Sequence, residues 1–509
     1  MNLRKLIAPL PGLRIVRLDG DPCITDVVFD SREVAPGALF VALPGARVDG
    51  HDYLDEARTR GAVAALVATG RDAPGGYTAV LSADDPRAAL GPIARRFFED
   101  PTMHLRVVGV TGTNGKTTTT YLLEAMFDHA GYAPGVLGTI EYRWRGVRLP
   151  AANTTPESLV IQRHARAMRQ AGVDVALLEV SSHGLATHRL DGVRFDAAIF
   201  TNLTQDHLDF HGTMQAYRDA KAKLFLEHLP AGARTTSRVF QPKPMAIVNV
   251  DDPEGTRLRE ELASHPVDVC ATSCAGRPGA DVRVAKRAHT LDGSTFTLAD
   301  SDVVFSLRLF GDYNISNALG AVALGRAWGL DDERIAEGLA NAIVPGRLEP
   351  IRVDDVGAAP SVFVDYAHSP DAISRSLAML RPLTPGRLII VFGAGGDRDA
   401  AKRPLMGAAA AEHADLVILT SDNPRSEDPD AIVEAIARGI PPHTAQTLRI
   451  PARDEAIRVA VAQSHPGDVV LIAGKGHETT QEAQGILAPF DDREHARRAL
   501  QALDTGERP

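Results

Sequence analysis

The stretch "VTGTNGKTTT" between Val110 and Thr119 contains residue types that bind nucleotide phosphates, between an apolar run and a helical pattern. Its glycines allow backbone N–H groups to wrap phosphate oxygens, Lys116 adds a cation, and the hydroxyl of Thr117 can bind Mg²⁺. The common spacing G-x-x-x-x-G-K-[ST] would require its first glycine at Val110. The sequence therefore predicts a shorter variant of the phosphate-binding loop.

Two more polar clusters follow apolar runs of the same kind. "VDVALLEVSS" contains Glu179 near its end, and "FDAAIFTNLT" is followed by His207 in "QDHLD". Near-continuous Val, Ile and Leu runs are typical of parallel sheets covered on both faces, where functional groups gather at the carboxyl ends of strands. Three strands thus predict one composite site. Taken alone, Glu179 and His207 fit a Mg²⁺ site as well as they fit a buried ion pair and a helix cap.

The order of these patterns predicts an α/β fold with three domains in the 509 residues. Short strands and a helix-like stretch indicate a small α/β domain at 1–102. The phosphate loop lies in a central domain with a parallel sheet at 103–346. After the Pro- and Gly-containing linker "VPGRLEP", four more strand patterns predict a Rossmann-like α/β domain at 347–509.

Composition excludes several classes of function. A formal net charge of −10 argues against nucleic-acid binding, which requires a basic surface. Three scattered cysteines do not form a disulfide framework and fit a reducing compartment. We find no signal peptide and no run of about 20 apolar residues. We therefore expect a cytoplasmic monomer that does not contact the membrane.

Beyond these patterns, "GVTGTNGKTTT" resembles the signature of the Mur ligase family, ATP-dependent enzymes that build the peptide of the bacterial cell-wall precursor. Further family-like motifs recur in order over nearly the whole chain, among them "NTTPES", "LLEVSSHGL", "FTNLTQDHLDFHG", "YRDAKAKLF", "GDYNISNALGA", "VPGRLE", "SDNPRSEDP" and "AGKGHE". The resemblance implies a uridine-nucleotide domain, an ATP-binding domain and an amino-acid-binding domain, in that order.

The resemblance implies ATP as co-substrate and Mg²⁺ as cofactor. The resemblance assigns catalytic roles to Lys116, Glu179, His207 and Lys221. The metal is held by Thr117, Glu179, His207 and by Lys221 as N6-carboxylysine, the carbamate formed with CO₂. The implied ATP contacts are Gly112, Thr113, Asn114, Gly115, Lys116, Thr117, Thr118, Asn314, Asn317, Arg347 and Asp365.

A second implied site binds the uridine-nucleotide-linked muramoyl dipeptide. Its residues match Phe29, Ser31, Asn153, Thr154, Thr155, Ser181, Thr187 and Arg189, together with a turn at residues 46–48. Thr187 stands where members that add diaminopimelate or lysine commonly have Gln.

The turn in "SDNPRSEDP" is the most informative stretch for the incoming amino acid. A proline-fixed turn presents its side chains rigidly, and an arginine fork binds a carboxylate through two hydrogen bonds. The sequence D-N-P-R resembles members that add meso-2,6-diaminopimelate. The implied contacts are Arg398, Asp422, Asn423, Pro424, Arg425, Gly474 and Glu478. Without the resemblance, the same stretch also fits a surface turn with a solvated arginine.

These observations predict a ligase that joins meso-diaminopimelate to the γ-carboxylate of D-Glu in UDP-N-acetylmuramoyl-L-alanyl-D-glutamate through an acyl phosphate. Three alternatives remain open from the sequence. They are a lysine-adding Mur ligase, a ligase similar to folylpolyglutamate synthetase, and a nucleotide-switch binding protein without ligase chemistry.

Overall fold

The computed structural model describes residues 1–45, 48–233, 243–353 and 359–504, which divide into two compact units. The first comprises Met1–Val284, Ala299–Ser301 and Ser316–Gly338, and the second comprises Ala285–Leu298, Asp302–Ile315 and Leu339–Pro509. Both contain helices and mainly parallel sheets, which confirms the predicted fold class. The three domain boundaries stay a prediction. No helix in the described ranges has both the length and the hydropathy needed to cross a membrane.

The amino-terminal part of the first unit is built on a five-stranded sheet of order β1-β5-β4-β3-β2. Four of its strands coincide with predicted runs, whereas β1 was missed because arginines interrupt its apolar pattern. The strands are β1 (Leu13–Leu18), β2 (Val27–Val28), β3 (Leu39–Val41), β4 (Ala64–Ala68) and β5 (Ala79–Ala83). The helices are α1 (Leu3–Ile7), α2 (Leu54–Thr59) and α3 (Pro86–Phe97).

The central sheet places the three predicted polar strand ends side by side. Strand β6 (Arg106–Thr111) runs parallel between β10 (Val175–Glu179) and β11 (Ala197–Phe200). Strand β7 (Pro134–Leu137) lies parallel to β10 on its other side and was not predicted. The sheet continues through β8 (Glu141–Trp144) and β9 (Val147–Pro150) at one side and through β12 (Met245–Asn249) and β13 (Asp268–Ser273) at the other.

Helices pack on this sheet and carry part of the predicted site. The first, α4 (Lys116–His129), begins directly after Gly115, whose φ of +87° is in the left-handed region that favours glycine. The others are α5 (Ser158–Gln170), α6 (Ser182–Ala186), α7 (Leu208–His211), α8 (Met214–Lys223), α9 (Leu229–Ala233) and α10 (Pro253–Leu262).

The chain crosses between the two units more than once after β13. The elements of this stretch are β14 (Val282–Thr290), β15 (Gly293–Leu298), β16 (Ser301–Leu307), α11 (Asp312–Ala327) and α12 (Asp332–Ala340). Sequence patterns did not identify these three strands, whose buried and exposed residues do not form one continuous apolar run.

The second unit contains a six-stranded sheet of order β17-β18-β22-β19-β20-β21 in which only β17 is antiparallel to its neighbour. Apolar clusters cover both faces, as the continuous apolar runs predicted. The strands are β17 (Glu349–Ile351), β18 (Ser361–Asp365), β19 (Leu388–Phe392), β20 (Leu416–Leu419), β21 (Gln446–Arg449) and β22 (Val469–Ala473), followed by the hairpin β23 (Thr480–Ala483) and β24 (Ile486–Pro489). The helices are α13 (Pro370–Leu380), α14 (Lys402–His413), α15 (Pro429–Ala437), α16 (Arg453–Ala462) and α17 (Asp492–Asp504).

Candidate active site

The phosphate-loop candidate forms the tight connection from β6 to α4. At Gly112 a Cβ atom would collide with the hydroxyl of Thr201, so only glycine fits there. The Nζ of Lys116 donates hydrogen bonds of 2.9 Å to the carbonyls of Gly112 and Thr113. The lysine cation is therefore held directly over the loop, at the position from which it can reach a bound phosphate.

Residues at the end of the neighbouring strand β11 hold this loop in shape. Asn202 accepts the backbone N–H of Asn114 at 3.1 Å on Oδ1 and that of Thr113 at 2.9 Å on its carbonyl. Thr201 Oγ1 donates to the carbonyl of Asn114 at 2.6 Å. Sequence reasoning had placed a polar cluster here without assigning these two residues a role.

The carboxylate of Glu179 is buried and fixed by three hydrogen bonds at the end of β10. Thr117 Oγ1 donates to Oε2 at 2.9 Å, and Thr139 donates through its N–H at 3.0 Å and its hydroxyl at 2.9 Å. A Cβ at Gly138 would collide with Oε1, so glycine is required beside the carboxylate. Thr139 was missed because it follows β7, a strand that the sequence did not predict.

Lys221 lies on α8 with only 2% of its surface exposed. Its Nζ donates to the carbonyl of Gly112 at 2.8 Å, and that oxygen also accepts the Nζ of Lys116. The ring of Tyr217 lies 4.6 Å from the Lys221 Nζ. Burial, reinforced by the Lys116 ammonium, holds the pKa of Lys221 well below its usual range. The structure thus places a buried lysine of low basicity at the phosphate loop.

His207 sits in a group of aromatic rings next to α8. Its side chain is 46% exposed, and its Nε2 lies 3.4 Å from a carboxylate oxygen of Asp206. The ring centroid is 4.8 Å from that of His183 and 6.1 Å from that of Tyr217. Within the described ranges, no hydrogen bond or ring contact joins His207 to Glu179. His207 and Lys221 instead share Tyr217 as a neighbour.

These placements bear on the implied Mg²⁺ site. In the described part of the chain, no three His, Cys, Asp or Glu side chains are grouped closely enough to hold a metal ion. The pair formed by Glu179 and Thr117 does supply the oxygen ligands that a hard cation prefers. The donor set therefore fits Mg²⁺ in part, and additional oxygen ligands must come from elsewhere.

Four residues of the predicted muramoyl-dipeptide site are connected by hydrogen bonds close to Glu179. Thr155 Oγ1 donates to the Glu179 carbonyl at 2.8 Å and accepts the Ser181 N–H at 2.9 Å. Arg189 donates to the Thr155 carbonyl at 3.0 Å. The hydroxyl of Thr154 is 3.0 Å from that of Thr139, which binds the Glu179 carboxylate. The predicted binding loop and the predicted metal ligand thus form one hydrogen-bonded group.

The other predicted residues of this site lie apart from that group or are differently engaged. The carbonyl of Asn153 accepts the Tyr142 hydroxyl at 2.8 Å. Thr187 Oγ1 donates at 2.7 Å to a carbonyl of its own short helix. In the amino-terminal sheet region, Phe29 packs on an apolar cluster and Ser31 donates to a glutamate at 3.0 Å. Of the predicted turn at residues 46–48, positions 46 and 47 lie outside the described residues.

The four remaining ATP contacts predicted outside the loop fall in different units. Asn317, in the first unit, packs against the glycine that precedes α4, where a Cβ would collide with its amide. In the second unit, Asn314 donates to a backbone carbonyl at 2.8 Å, and Asp365 accepts backbone N–H groups at 2.8 and 3.0 Å. The guanidinium of Arg347 lies 4.9 Å from the ring centroid of Tyr366.

In the second unit, the turns after β19, β20 and β22 are pressed together at the carboxyl edge of the sheet. The N–H of Gly396 donates to the Asn423 carbonyl at 2.9 Å, and a Cβ at Gly396 would collide with the Pro424 carbonyl. A Cβ at Gly474 would lie 2.5 Å from Oδ2 of Asp422. The predicted amino-acid site is therefore a compact cluster rather than a solvated surface turn.

Two arginines border this cluster. Arg425 adopts a left-handed φ of +52°, donates to the Gly396 carbonyl at 2.7 Å, and places its Nε 3.3 Å from a Glu482 carboxylate oxygen. A Cβ at Gly395 would lie 3.0 Å from Nη1 of Arg425 and 3.7 Å from Cγ of Arg398. The two arginine side chains therefore flank the same glycine.

One residue of this cluster, Lys475, was not singled out from the sequence. It is fully buried, and its Nζ donates to Asn423 Oδ1 at 3.1 Å and to Glu478 Oε2 at 3.2 Å. Asn423 Nδ2 also donates to that glutamate oxygen at 2.9 Å. The only signal in the sequence was a lysine between two glycines directly after a buried strand.

Three domain families match the chain in succession. The catalytic domain of the Mur ligase family matches residues 24–98, and the Mur ligase middle domain matches residues 110–325. The glutamate ligase domain of the Mur ligases matches residues 346–476. The middle-domain match contains the phosphate loop, and the glutamate ligase match contains Arg398, Arg425 and Lys475.

Two curated relatives and one solved structure that match along nearly the whole chain carry the same name. A UDP-N-acetylmuramoyl-L-alanyl-D-glutamate–2,6-diaminopimelate ligase of Geobacter metallireducens is 44% identical over 500 residues, or 95% of either chain. An enzyme of the same name from Geobacillus kaustophilus is 42% identical over 98% of this chain and 99% of its own. A solved structure of an enzyme with that name superposes with a TM-score of 0.69 at 32% identity, covering 94% of this chain and 95% of the other.

Proposed function

The chain belongs to the Mur ligase family, and we propose from this premise that it is an ATP-dependent amide-forming ligase. It adds meso-2,6-diaminopimelate to the D-Glu γ-carboxylate of UDP-N-acetylmuramoyl-L-alanyl-D-glutamate in peptidoglycan precursor synthesis. The observation that carries the proposal is the hydrogen-bonded group around Glu179. It joins the phosphate loop through Thr117 to the loop at Thr154 and Thr155.

The reaction follows from what these residues can bind. The loop N–H groups and Lys116 neutralise the oxygens of the γ-phosphoryl group while it passes from ATP to the substrate carboxylate, releasing ADP. The amine of diaminopimelate then attacks the acyl carbon. The C–O bond to phosphate breaks, a proton leaves the nitrogen, and an amide and free phosphate remain. Exclusion of water protects the acyl phosphate from hydrolysis.

The contacts of Lys221 support its proposed modification. Lys116 and Lys221 donate to the same carbonyl, so two ammonium charges there would repel each other without solvent screening. A lowered pKa increases the uncharged fraction of the Lys221 amine, and only an uncharged amine reacts with CO₂. The carbamate, formed with release of one proton to solvent, would place an anion next to Lys116, and together with Thr117, Glu179 and His207 it would offer Mg²⁺ an oxygen ligand. Bound Mg²⁺ would supply charge neutralisation at the phosphates.

We also propose that the three predicted domains bind different substrates. Residues 1–102 form the domain that binds the UDP-linked substrate, 103–346 form the ATP-binding domain, and 347–509 form the domain that binds the amino acid. The three successive family matches support these limits. An ion pair of Arg87 with Glu157, which also binds Arg189, links the first two regions next to the proposed dipeptide loop.

Phosphate release with each substrate omitted in turn tests the function. We expect release to require ATP, the UDP-linked muramoyl dipeptide and meso-diaminopimelate together. Release with nucleotide alone would instead indicate a nucleotide switch. Release that depends on a folate substrate would indicate a folylpolyglutamate synthetase-like ligase, and equal rates with lysine would indicate a lysine-adding enzyme.

Substitution of Arg425 tests the choice of amino acid. We expect Arg425→Ala to raise the KM for diaminopimelate about 30-fold, because a charge-assisted carboxylate clamp worth about 2 kcal/mol is lost. Lysine lacks the second carboxylate, so we expect a low rate of the wild-type enzyme with lysine, and we expect Arg425→Ala to change that rate little. Arg449→Ala is the matched control. Arg449 is an exposed arginine at the end of the edge strand β21, and it pairs with Glu434 on α15. An equal loss with both amino acids would contradict the clamp.

A further inference from the structure

The full burial of Lys475 requires an explanation, because a lysine without exposed surface is rare unless it is paired. Its ammonium is satisfied by two side chains of the amino-acid cluster, Asn423 Oδ1 and Glu478 Oε2. Both partners are among the proposed contacts to diaminopimelate, whereas Lys475 lies beneath them without exposed surface. Lys475 therefore does not contact the substrate directly. It can still determine the orientation of the Asn423 and Glu478 side chains toward the substrate.

The bonds around Lys475 use specific atoms of its partners. Asn423 Oδ1 accepts both Lys475 Nζ and the Glu482 N–H, at 3.1 and 3.0 Å, and Asn423 Nδ2 donates to Glu478 Oε2. The carboxylate of Glu478 thus receives two donors on Oε2. Within the described ranges, its Oε1 has no hydrogen-bond partner, and the side chain is one-third exposed. Hydrogen bonds from Lys475 and Asn423 thus hold Oε2 of Glu478 in place, and Oε1 can accept a hydrogen bond from a ligand.

We propose that Lys475 is a positioning residue for the amino-acid substrate, an inference that rests on the proposed function. It locks Asn423 and Oε2 of Glu478, which leaves Oε1 pre-oriented for an ammonium group at the distal end of the substrate. Arg425 meanwhile serves the distal carboxylate. A carboxylate that is already held in place loses less side-chain entropy on binding, so preorganisation appears in the affinity for this substrate.

A partly exposed cation at the amino ends of the same sheet's strands offers a control. Arg387 precedes β19 and pairs with Asp468, which precedes β22, through bonds of 3.2 and 2.9 Å. It too joins two neighbouring strands, but at their amino ends, away from the turns that form the proposed site. Loss of Arg387 should cost stability without changing the affinity for any one substrate.

The test compares Lys475→Met, Lys475→Arg, Glu478→Gln, the double variant Lys475→Met/Glu478→Gln and Arg387→Met in steady-state kinetics. For Lys475→Met we expect the KM for diaminopimelate to rise about tenfold, with kcat and the KM values for ATP and the muramoyl dipeptide within about threefold. Lys475→Arg should restore part of the affinity. The double variant should be no worse than the poorer single variant, because Lys475 acts through Glu478.

Hydrogen–deuterium exchange provides a readout that does not depend on turnover. In Lys475→Met the segment 480–484 should exchange about tenfold faster, because the Glu482 N–H bonds to an asparagine that is no longer held. Unchanged exchange, additive losses in the double variant, or KM values that rise together for all three substrates would each overturn the proposal. If the wild-type protein shows no diaminopimelate-dependent phosphate release, the proposed function fails, while exchange still decides whether Lys475 fixes the cluster.

Discussion

Lys116→Met is expected to lower kcat by about 10³-fold, equivalent to about 4 kcal/mol of transition-state stabilisation. Its Nζ donates to the carbonyls of Gly112 and Thr113 in the loop that we propose to bind the transferring phosphoryl group. Charge on that group is redistributed in the transition state, so the loss should appear in kcat more than in the KM for ATP. Single-turnover formation of ADP measures the step directly.

Two controls make this result specific. Lys286→Met removes an exposed lysine on β14 and should leave kcat unchanged. Lys116→Arg keeps a positive charge but presents a planar fork rather than a compact ammonium, so we expect it to recover only a small part of the rate. A loss of less than tenfold in Lys116→Met, in a protein with unchanged melting temperature, would exclude the phosphoryl-transfer role.

Lys221→Ala is expected to lower kcat by about 10²- to 10³-fold, because it removes the proposed carbamate, which would complete the proposed metal site. Small carboxylates such as formate or acetate should restore part of the activity by occupying the vacated space as an anion. In the wild-type protein, ¹³C-labelled bicarbonate should give a carbamate signal in NMR spectra that Lys221→Ala lacks. Added bicarbonate should also raise activity in CO₂-depleted buffer.

Lys223→Ala is the matched control for this position. Lys223 ends the same helix two residues later and is less buried, and it should tolerate the change without loss of activity. If Lys221 were only a structural lysine, Lys221→Ala would lower the melting temperature and carboxylates would not restore the rate. A variant that is fully active without added carboxylate would rule out the carbamate.

The strands that the sequence predicted are local apolar runs bounded by polar or glycine-rich turns: four in the amino-terminal sheet, three in the central sheet and four in the six-stranded sheet. Strands β6, β10 and β11 were expected to place their polar ends together, and β6 indeed lies between the other two. Several missed strands have interrupted patterns: β1 contains two arginines, and in the hairpin of β8 and β9 charged residues alternate with apolar ones. Where burial is incomplete, the period of the apolar residues no longer identifies the element.

Some contacts of the predicted site residues lie within one short segment of the chain, and others join segments that are distant in the sequence. Lys116 and Gly115 lie within one loop, so the local sequence sufficed to relate them. The pairing of Thr139 with Glu179 depends on β7 lying beside β10, which no local pattern encodes. His207 was grouped with Glu179 by motif, yet its described neighbours are His183, Asp206 and Tyr217. Its role as a metal ligand stays a prediction.

The sequence by itself determined the phosphate loop, the α/β class and the family, because glycine positions, continuous apolar runs and motif order are properties of short segments. Only the tertiary structure decided that Lys116 and Lys221 share one carbonyl and that Lys475 lies beneath Asn423 and Glu478. These contacts join residues that are distant in the chain or hidden by burial. The charges at these contacts interact strongly because they are shielded from solvent. That shielding and the order of the strands arise only when the sheets assemble.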